Sequence, residues 1–414
     1  MDEKAVLNHM RLLQINSTAN WGSTGKIAEQ IGILAMQSGW ESYIAYGRNN
    51  NPSKSKLIKI GSKLGVYWHV LESRLLDNHG LASRLATRKL IKQIELIKPD
   101  IVHLHNIHGY YINYKLLFEY LSKREIRVVW TLHDCWSFTG HCAHYIDKGC
   151  YQWQTACRNC KCYKGYPASL TSRVKRNFEL KKSLFLSVKD RLTLTPVSKW
   201  LASQTEQSFF NGCNITYIYN GVDTSVFSPI KDSDIRSKYN LGDKKILLGV
   251  ASAWGEGKGL GDYYKLRERL TDDYIIVLVG MTDAQINALP NGIVGIRRTQ
   301  SQHELAELYS AADIVLSLSR AETFGLTIAE GMACGTPAIV YNTTAVPELI
   351  TPQTGLIIDN IGDIDSLIAA IETICSNGKE HYSEACRKHA EKNFDKDRCF
   401  AKYIGLYNGI LAKK

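Results

Sequence analysis

The most informative stretch of the sequence is residues 319–340, SRAETFGLTIAEGMACGTPAIV, in which two glutamates stand eight residues apart. An apolar run that predicts a strand ends just before Glu322. Phe324 and Gly325 then begin a predicted helix that carries Glu330, and the following Gly-Thr-Pro ends it. The pattern therefore predicts two carboxylates around the N-terminus of a helix that follows a strand.

This arrangement suits a nucleoside diphosphate sugar. The first turn of a helix has unpaired N–H groups and a partial positive charge, which together bind phosphate. A carboxylate accepts hydrogen bonds from neighbouring sugar hydroxyls. We expect Glu322 on the hexose, the helix N-terminus on the diphosphate and Glu330 on the ribose. Two glutamates at this spacing are also typical of a solvated helix, but the preceding strand and the Phe-Gly and Cys-Gly-Thr-Pro neighbours favour a binding site.

Further motifs are spread along the chain: Gly22 in the first strand–helix loop, DIVHLH at 100–105, TLHD at 131–134, NGVD at 220–223 and AVPE at 345–348. Together with the two glutamates they resemble the retaining glycosyltransferases of family 4, which have the GT-B fold. The resemblance covers nearly the whole chain. The segment HDCWSFTGHCAHY at 133–145 further resembles the colanic-acid-type subgroup, which builds bacterial surface polysaccharides.

The resemblance implies a role for each matching residue. Gly22 would let the backbone approach the donor phosphate, because a side chain there would block it. His133 would hydrogen-bond a donor hydroxyl from the N-terminal domain. Lys258 would neutralise the departing diphosphate. Glu322 would hold the sugar and Glu330 the ribose.

The amides of Phe324, Gly325 and Leu326 would hold the phosphate, and no metal or other cofactor would be needed for the chemistry. One position departs from the family. Many members have an arginine about five residues before the lysine, where this chain has Ala253. We consider Arg320, next to the motif, or a basic residue of the first domain as its replacement.

The elements that must position these residues follow an alternating pattern. Short apolar runs alternate with helix-like stretches, which favours parallel α/β architecture, and 414 residues exceed what one core usually serves. We predict an α/β fold of two Rossmann-like doubly wound domains facing a central cleft. Residues 1–218 form the acceptor-side domain, residues 219–395 bind the donor, and residues 396–414 form a helix that packs back on the first domain.

The charge is unevenly divided. Residues 1–220 hold 30 Lys and Arg against 15 Asp and Glu, whereas residues 221–414 hold 21 against 25. A basic half is typical of proteins that meet nucleic acid, anionic lipid or phosphorylated substrates, and also of a merely solvated surface. Its basic residues are spread over 54–98 and 158–199, and no nucleic-acid-binding signature accompanies them, so we expect no nucleic-acid partner.

Six of the eleven cysteines fall within a loop at 135–162. Cys157 and Cys160 have the spacing of half a zinc knuckle, and Cys142 and Cys150 would complete a tetrahedral thiolate site. A structural zinc would fix a long loop with little core of its own. Reduced unligated thiols and redox or cluster chemistry are the alternatives.

Aromatic residues of the same loop would line the acceptor subsite or form a hydrophobic cluster beneath it. Basic residues at 173–182, RVKRNFELKK, would contact the diphosphate of a lipid-linked acceptor or an anionic membrane, or simply be solvated. No apolar run approaches the length of a membrane helix, and the first 13 residues lack a signal peptide's apolar centre. We therefore expect a cytoplasmic protein, peripheral at the inner face of the cell membrane.

We therefore expect a hexosyltransferase that moves a hexose from a nucleoside diphosphate sugar to a glycan or lipid-linked acceptor. The resemblance implies retention and a role in surface, capsular or exopolysaccharide synthesis. The alternatives are an inactive nucleotide-sugar-binding protein of the same fold, a nucleotide-sugar epimerase and a zinc-bearing nucleic-acid binder. Turnover separates the transferase from the inactive protein, and salt-sensitive oligonucleotide binding would favour the last.

Overall fold

The computed structural model describes residues 9–412. Residues 1–8, which belong to the first 13 residues considered for a signal peptide, lie outside this range. Residues 413 and 414 of the helix predicted at 396–414 also lie outside it. The chain divides into two compact units, the first reaching to Ile218 and resuming at Phe400, the second comprising Tyr219–Cys399. Each unit is built on one parallel sheet.

The first unit has a seven-stranded sheet in the order β3-β2-β1-β4-β5-β6-β7, with all neighbours parallel. Its strands are β1 (Arg11–Asn16), β2 (Glu41–Tyr46), β3 (Lys56–Lys59), β4 (Ile101–Leu104), β5 (Arg127–Leu132), β6 (Leu192–Pro196) and β7 (Asn214–Ile215). Its helices are α1 (Gly22–Gln37), α2 (Lys63–Leu76), α3 (Arg84–Ile97), α4 (Tyr114–Leu121), α5 (Val174–Leu186) and α6 (Lys199–Glu206).

The second unit has a six-stranded parallel sheet in the order β10-β9-β8-β11-β12-β13. Its strands are β8 (Lys245–Val250), β9 (Tyr274–Val279), β10 (Ile293–Ile296), β11 (Ile314–Ser317), β12 (Ala338–Tyr341) and β13 (Gly355–Ile358). Its helices are α7 (Ile235–Lys238), α8 (Leu260–Arg269), α9 (Asp283–Ile286), α10 (Gln302–Ala311), α11 (Leu326–Ala333), α12 (Ile364–Asn377), α13 (Lys379–Asn393) and the start of α14 (Lys396–Ala412).

The end of α14 groups with the first unit, where Tyr403 and Tyr407 are buried. The Tyr407 hydroxyl lies 2.7 Å from Nδ1 of His103 on β4, and the Tyr403 hydroxyl lies 3.0 Å from the Thr131 hydroxyl on β5. These polar contacts satisfy hydroxyls that would otherwise be buried at a cost. They tie the last helix of the chain to the centre of the first sheet.

The predicted α/β class with two Rossmann-like sheets is confirmed. The central strands are apolar and buried on both faces, as parallel sheets covered by helices require; β4, β11 and β12 are buried throughout. In each sheet the strand order reverses at one point, between β1 and β4 and between β8 and β11. Doubly wound sheets bind ligands outside the carboxyl ends of the strands at such points.

The alternating pattern predicts ten strands, and β3, β7 and β10 are additional to them. β3 is a short edge strand with mostly exposed residues, and β7 has two residues. The apolar residues of α2 have helical spacing, but they face outward instead of toward the core. Within residues 9–412, no helix combines the length and apolarity that crossing a bilayer requires.

Candidate functional site

Lys258 and Glu322 meet at the carboxyl ends of two adjacent strands, β8 and β11. Lys258 ends a 3-10 turn that follows β8, and Glu322 lies in the loop between β11 and α11. The Lys258 ammonium is ion-paired with Glu322 Oε1, to which the Ser319 hydroxyl also donates at 3.1 Å. The side chains are 33% and 23% exposed, so both are open to a ligand.

Backbone contacts hold the two loops together. The Glu322 amide donates to the Thr344 hydroxyl at 2.8 Å, and the Arg320 amide donates to the Gly257 carbonyl at 3.0 Å. Gly259 lies just after Lys258 with a φ of +71°, and a Cβ there would stand 2.1 Å from the carbonyl oxygen of Leu318. Only glycine permits this approach of the β8 loop to the end of β11.

The N-terminus of α11 lies directly after this loop. Gly325 precedes the helix with a φ of +104°, and a Cβ there would lie 2.9 Å from Val346 Cγ1. No side-chain hydrogen bond caps the helix. Phe324 is buried between the rings of Tyr219 and Phe394, with both centroids at 5.7 Å, which fixes the backbone that carries the amides. An uncapped N-terminus on a fixed backbone is suited to an anion.

Glu330 lies one turn further along α11, held by Tyr309 of α10. The Tyr309 hydroxyl donates to Glu330 Oε2 at 3.0 Å. Burial, and then the neighbouring Glu330 charge, raise the pKa of Tyr309 well above its ordinary value, so it stays a donor. The Thr336 hydroxyl in turn donates to the Tyr309 carbonyl at 2.6 Å. Glu330 is half-buried, so a partly positioned carboxylate faces solvent.

Arg320, considered as the replacement for the arginine that many family members have, is ion-paired with a carboxylate. Its guanidinium donates to Asp262 Oδ2 at 3.0 Å, and Asp262 is 2% exposed and also accepts from the Tyr341 hydroxyl at 3.1 Å. Ala253 is exposed. Arg320 is therefore engaged by a carboxylate, and in the second unit Lys258 is the cation placed beside Glu322.

His133 lies at the carboxyl end of β5 in the first unit and continues a row of buried histidines. Its Nε2 is 3.2 Å from Nδ1 of His105, whose Nε2 is 3.1 Å from Gln14 Oε1. Burial lowers the pKa of His133 to about 4, although the Asp134 carboxylate raises it, and burial lowers the pKa of His103 to about 3. Neutral imidazole at His133 can both donate and accept hydrogen bonds.

Asp134 was not singled out by the sequence, although it lies in the quoted TLHD motif. Its Oδ2 is 2.8 Å from Nε2 of His108, which precedes α4. Burial raises the pKa of Asp134, but the His108 imidazole and other neighbours outweigh that effect and hold it at about 2. Spacing could not reveal this pair, because the two residues are brought together by adjacent strands.

Gly22 is the first residue of α1, after the loop that follows β1, with a φ of +65°. A Cβ there would meet nothing within 4 Å. Glycine is thus favoured by the left-handed backbone rather than by crowding within the chain. The structure places Gly22 and His133 at the carboxyl side of the first sheet, and the remaining predicted donor residues in the second unit.

The predicted zinc ligands Cys142, Cys150, Cys157 and Cys160 line one small cavity together with His141. Within residues 9–412, no cysteine is paired in a disulfide. His141 is buried, its Nδ1 lies 2.6 Å from Asp77 Oδ1, and its Nε2 has no hydrogen-bond partner. Among residues 9–412, however, no group of three or more His, Cys, Asp or Glu side chains is arranged to hold a metal ion. Zinc on this loop stays a prediction.

The aromatic residues of the cysteine loop form a cluster beneath it. Trp136, Phe138, Tyr145 and Trp153 are at most 1% exposed, and the rings of Phe138 and Tyr145 pack at a tilt against Trp153, with centroids at 4.9 and 5.0 Å. Of the basic segment 173–182, Lys181 is buried and donates to the carbonyls of Trp136 and Thr139 at 2.6 and 3.0 Å. Burial lowers its pKa to about 7. Lys181 therefore links α5 to the loop, and because it is buried it cannot contact a membrane surface.

Two family models match most of the chain. Residues 35–226 match the family described as glycosyltransferase family 4, and residues 231–393 match the glycosyl transferases group 1. The putative colanic acid biosynthesis glycosyl transferase WcaC of Escherichia coli K12 is 24% identical over 365 residues, which cover 84% of this chain and 86% of that protein.

Two solved structures share the fold. Sucrose-phosphate synthase from Thermosynechococcus elongatus has a TM-score of 0.71 at 14% identity, covering 98% of this chain and all of that one. HepE from Anabaena, in complex with UDP and glucose, has a TM-score of 0.67 at 15% identity, covering 97% and 100%. The two doubly wound sheets and these matches define a GT-B glycosyltransferase. The chain belongs to glycosyltransferase family 4, and its resemblance to the colanic-acid-type subgroup is confirmed.

Proposed function

We propose that the enzyme transfers a hexose from a nucleoside diphosphate sugar to a glycan or lipid-linked acceptor, with retention, in the synthesis of a surface, capsular or exopolysaccharide. The observation that carries this proposal is the juxtaposition of Lys258, Glu322 and the uncapped N-terminus of α11, with Glu330 further along the helix. HepE binds UDP and glucose, and the Escherichia coli relative is named for colanic acid, which supports the donor and the pathway class.

Each group has a task in this reaction. The α11 amides and Lys258 would bind the diphosphate, so that negative charge developing on the leaving group is stabilised where it forms. Glu322 would accept hydrogen bonds from hexose hydroxyls, and Glu330, held by Tyr309, from ribose hydroxyls. Neutral His133 would hydrogen-bond a hydroxyl of the hexose.

Retention is proposed as same-face attack. The bond between the anomeric carbon and the diphosphate oxygen breaks, the acceptor oxygen bonds to that carbon from the same side, and the acceptor proton passes to the departing phosphate. No nucleophilic carboxylate is invoked in this step, because Glu322 is assigned to the sugar hydroxyls.

A panel of UDP-, GDP- and ADP-sugars tests the proposal. Thermal stabilisation by one nucleotide class selects the donor, and a ligand at 100 times its Kd adds about 2.7 kcal/mol to native stability. Product formation from that donor with a glycan or lipid-linked acceptor, analysed for anomeric configuration, then tests transfer and retention. Donor binding without turnover on any acceptor would favour the inactive-protein alternative, and no binding at all would contradict the proposed site.

Zinc on the cysteine loop is tested separately, by elemental analysis of the purified reduced chain. The spacing predicts about one zinc per chain. His141 is the candidate to take the place of one of the four thiolates, because its Nε2 could reach the metal while Asp77 holds its other ring nitrogen, as outer carboxylates commonly do. Cys157→Ser should lose the metal and Cys213→Ser, outside the loop, should keep it. A folded chain that contains no zinc and takes up none would exclude the prediction.

A further inference from the structure

The helix α2 carries its apolar residues on the outside of the first unit. Leu64, Tyr67, Trp68, Leu71 and Leu75 are 80%, 71%, 61%, 45% and 46% exposed. Their spacing of three and four residues places them on one stripe along the helix. A surface helix normally turns such a stripe toward the core, so α2 has the reverse of the usual orientation.

Polar residues hold the helix in this orientation. His69 and Ser73, on the opposite side of α2, are at most 1% exposed. His69 Nδ1 lies 2.8 Å from the Ser83 hydroxyl, and the Gly80 amide donates to His69 Nε2 at 3.0 Å. The Ser62 side chain accepts from the Gly65 amide and caps the helix. The outward stripe is therefore built into the unit by specific hydrogen bonds on the inner side.

The part of the chain that contains α2 is strongly basic. Nine Lys and Arg residues lie between positions 54 and 92 of the sequence, and all nine are exposed. The same segment has two acidic residues, of which Asp77 is buried. An open groove beside α2 has a volume of about 690 Å³, with Trp68 and Leu85 among its apolar lining and Lys59, Arg84 and Lys89 among its cations.

We propose that this face, the α2 stripe with its surrounding basic residues, docks the enzyme on an anionic membrane. Trp68 and Tyr67 would lie at the depth of the headgroups, where these side chains are favoured. The leucines would enter the acyl boundary, and the Lys and Arg residues would contact lipid phosphates. The inference rests on the proposed function, for the case of a lipid-linked acceptor, and it names the surface that would bring the enzyme to such an acceptor.

The positive charge of this face favours an anionic bilayer over a second copy of this chain as its binding partner. Apposing two such faces would bring two sets of groove cations, Lys59, Arg84 and Lys89, toward each other, whereas an anionic bilayer supplies both the opposite charge and an apolar layer. The membrane segment expected from the sequence, residues 173–182, is a weaker candidate, because Lys181 is buried.

Co-sedimentation of the full chain with vesicles tests the proposal. Vesicles of equal parts phosphatidylglycerol and phosphatidylcholine should bind the protein at low salt, and vesicles of phosphatidylcholine alone should not. Binding should fall as salt rises, because exposed charges are screened. The double variant Trp68→Ser, Leu71→Ser should lower the affinity about tenfold or more, because it removes apolar area that enters the interface.

The matched control is Ile357→Ser with Ile361→Ser, which replaces exposed apolar residues of the second unit and should bind like the wild type. All four positions are exposed, so the variants should fold, which thermal unfolding verifies. Equal vesicle binding by wild type and the α2 variant, or no binding by wild type, would overturn the proposal. Self-association that the α2 variant abolishes, without vesicle binding, would assign the face to a second copy instead.

Vesicle binding needs no donor, so its outcome is independent of catalysis. Docking that persists in a chain without turnover would leave this inference standing and refute the proposed function. If the chain transfers sugar to a soluble acceptor but does not bind anionic vesicles, the membrane inference is refuted and the proposed function stands.

Discussion

The ammonium of Lys258 is ion-paired with the carboxylate of Glu322, although the two residues are 64 positions apart in the chain. The pair joins the ends of β8 and β11, where the order of the second sheet reverses. A carboxylate assigned to sugar hydroxyls thus neutralises the cation assigned to the diphosphate. In our proposal the diphosphate of the donor and the carboxylate of Glu322 both interact with the ammonium of Lys258. Substitutions of Glu322 and Lys258 should therefore have opposite effects on diphosphate binding.

Glu322→Gln should lower kcat strongly and yet tighten binding of the nucleoside diphosphate without its sugar. The substitution removes a negative charge beside the diphosphate and frees Lys258, whereas the lost carboxylate serves only the hexose. Lys258→Met should weaken nucleoside diphosphate binding about tenfold, equivalent to about 1.4 kcal/mol. Calorimetry with the free diphosphate and kinetics with the donor measure the two effects. Weaker diphosphate binding by Glu322→Gln would contradict the assignment.

Tyr309→Phe should raise the donor KM several-fold with little change in kcat. The hydroxyl of Tyr309 positions Glu330 at 3.0 Å, and Glu330 is proposed to contact the ribose, remote from the reacting carbon. A donor analogue lacking a ribose hydroxyl separates positioning from simple loss of stability. If Glu330 reads the ribose, the analogue should be penalised in wild type and not in Glu330→Ala. An equal increase in the KM of the analogue for wild type and Glu330→Ala would show that the ribose does not contact Glu330.

Gly325→Ala should destabilise the second unit by about 1–3 kcal/mol and abolish donor binding. Its φ of +104° is strained for alanine, and the added Cβ would lie 2.9 Å from Val346 Cγ1. The matched control is Gly261→Ala in the first turn of α8, where a Cβ meets nothing within 4 Å. Thermal unfolding of both variants measures the difference. A control as unstable as Gly325→Ala would show that the effect is not specific to the α11 turn.

Stability should fall as the pH drops from about 6.5 toward 4. The pKa of His133 in the folded chain is about 4 and that of His103 about 3, both below the ordinary value of 6.5, because of burial. The unfolded chain therefore binds more protons in this window, and each such histidine costs roughly 1.4 kcal/mol per pH unit. His133→Gln should make the decline of Tm shallower. His303→Gln, a change in a largely exposed side chain on α10, should leave it as in wild type.

Periodicity predicted most of the central strands, because buried parallel strands are continuous apolar runs between punctuated helices. Apolar runs at 11–16, 101–104 and 355–358 predict strands, and β1, β4 and β13 have those bounds. The edge strands β3 and β7 were not predicted, because they are short and largely exposed. The helical spacing of α2 does not show that its apolar stripe faces outward, because that orientation depends on the buried polar contacts of His69.

The types of side chain in the candidate site could be predicted from the sequence. The types and spacing of residues 322–330 indicated phosphate and hydroxyl recognition because helix N-termini and carboxylates have those properties wherever they occur. The cysteine spacing predicted a zinc site; four of the thiols line one cavity, and zinc there stays a prediction.

Pairing between distant residues was decided only by tertiary structure. Lys258 meets Glu322, His108 meets Asp134, and Tyr309 holds Glu330 because the strand order brings separate loops together. The protonation state of His133 depends on burial and on Asp134, neither of which a linear pattern expresses. Sequence fixes which groups are present through local chemistry, whereas their partners, charges and exposure are set by packing between residues far apart in the chain.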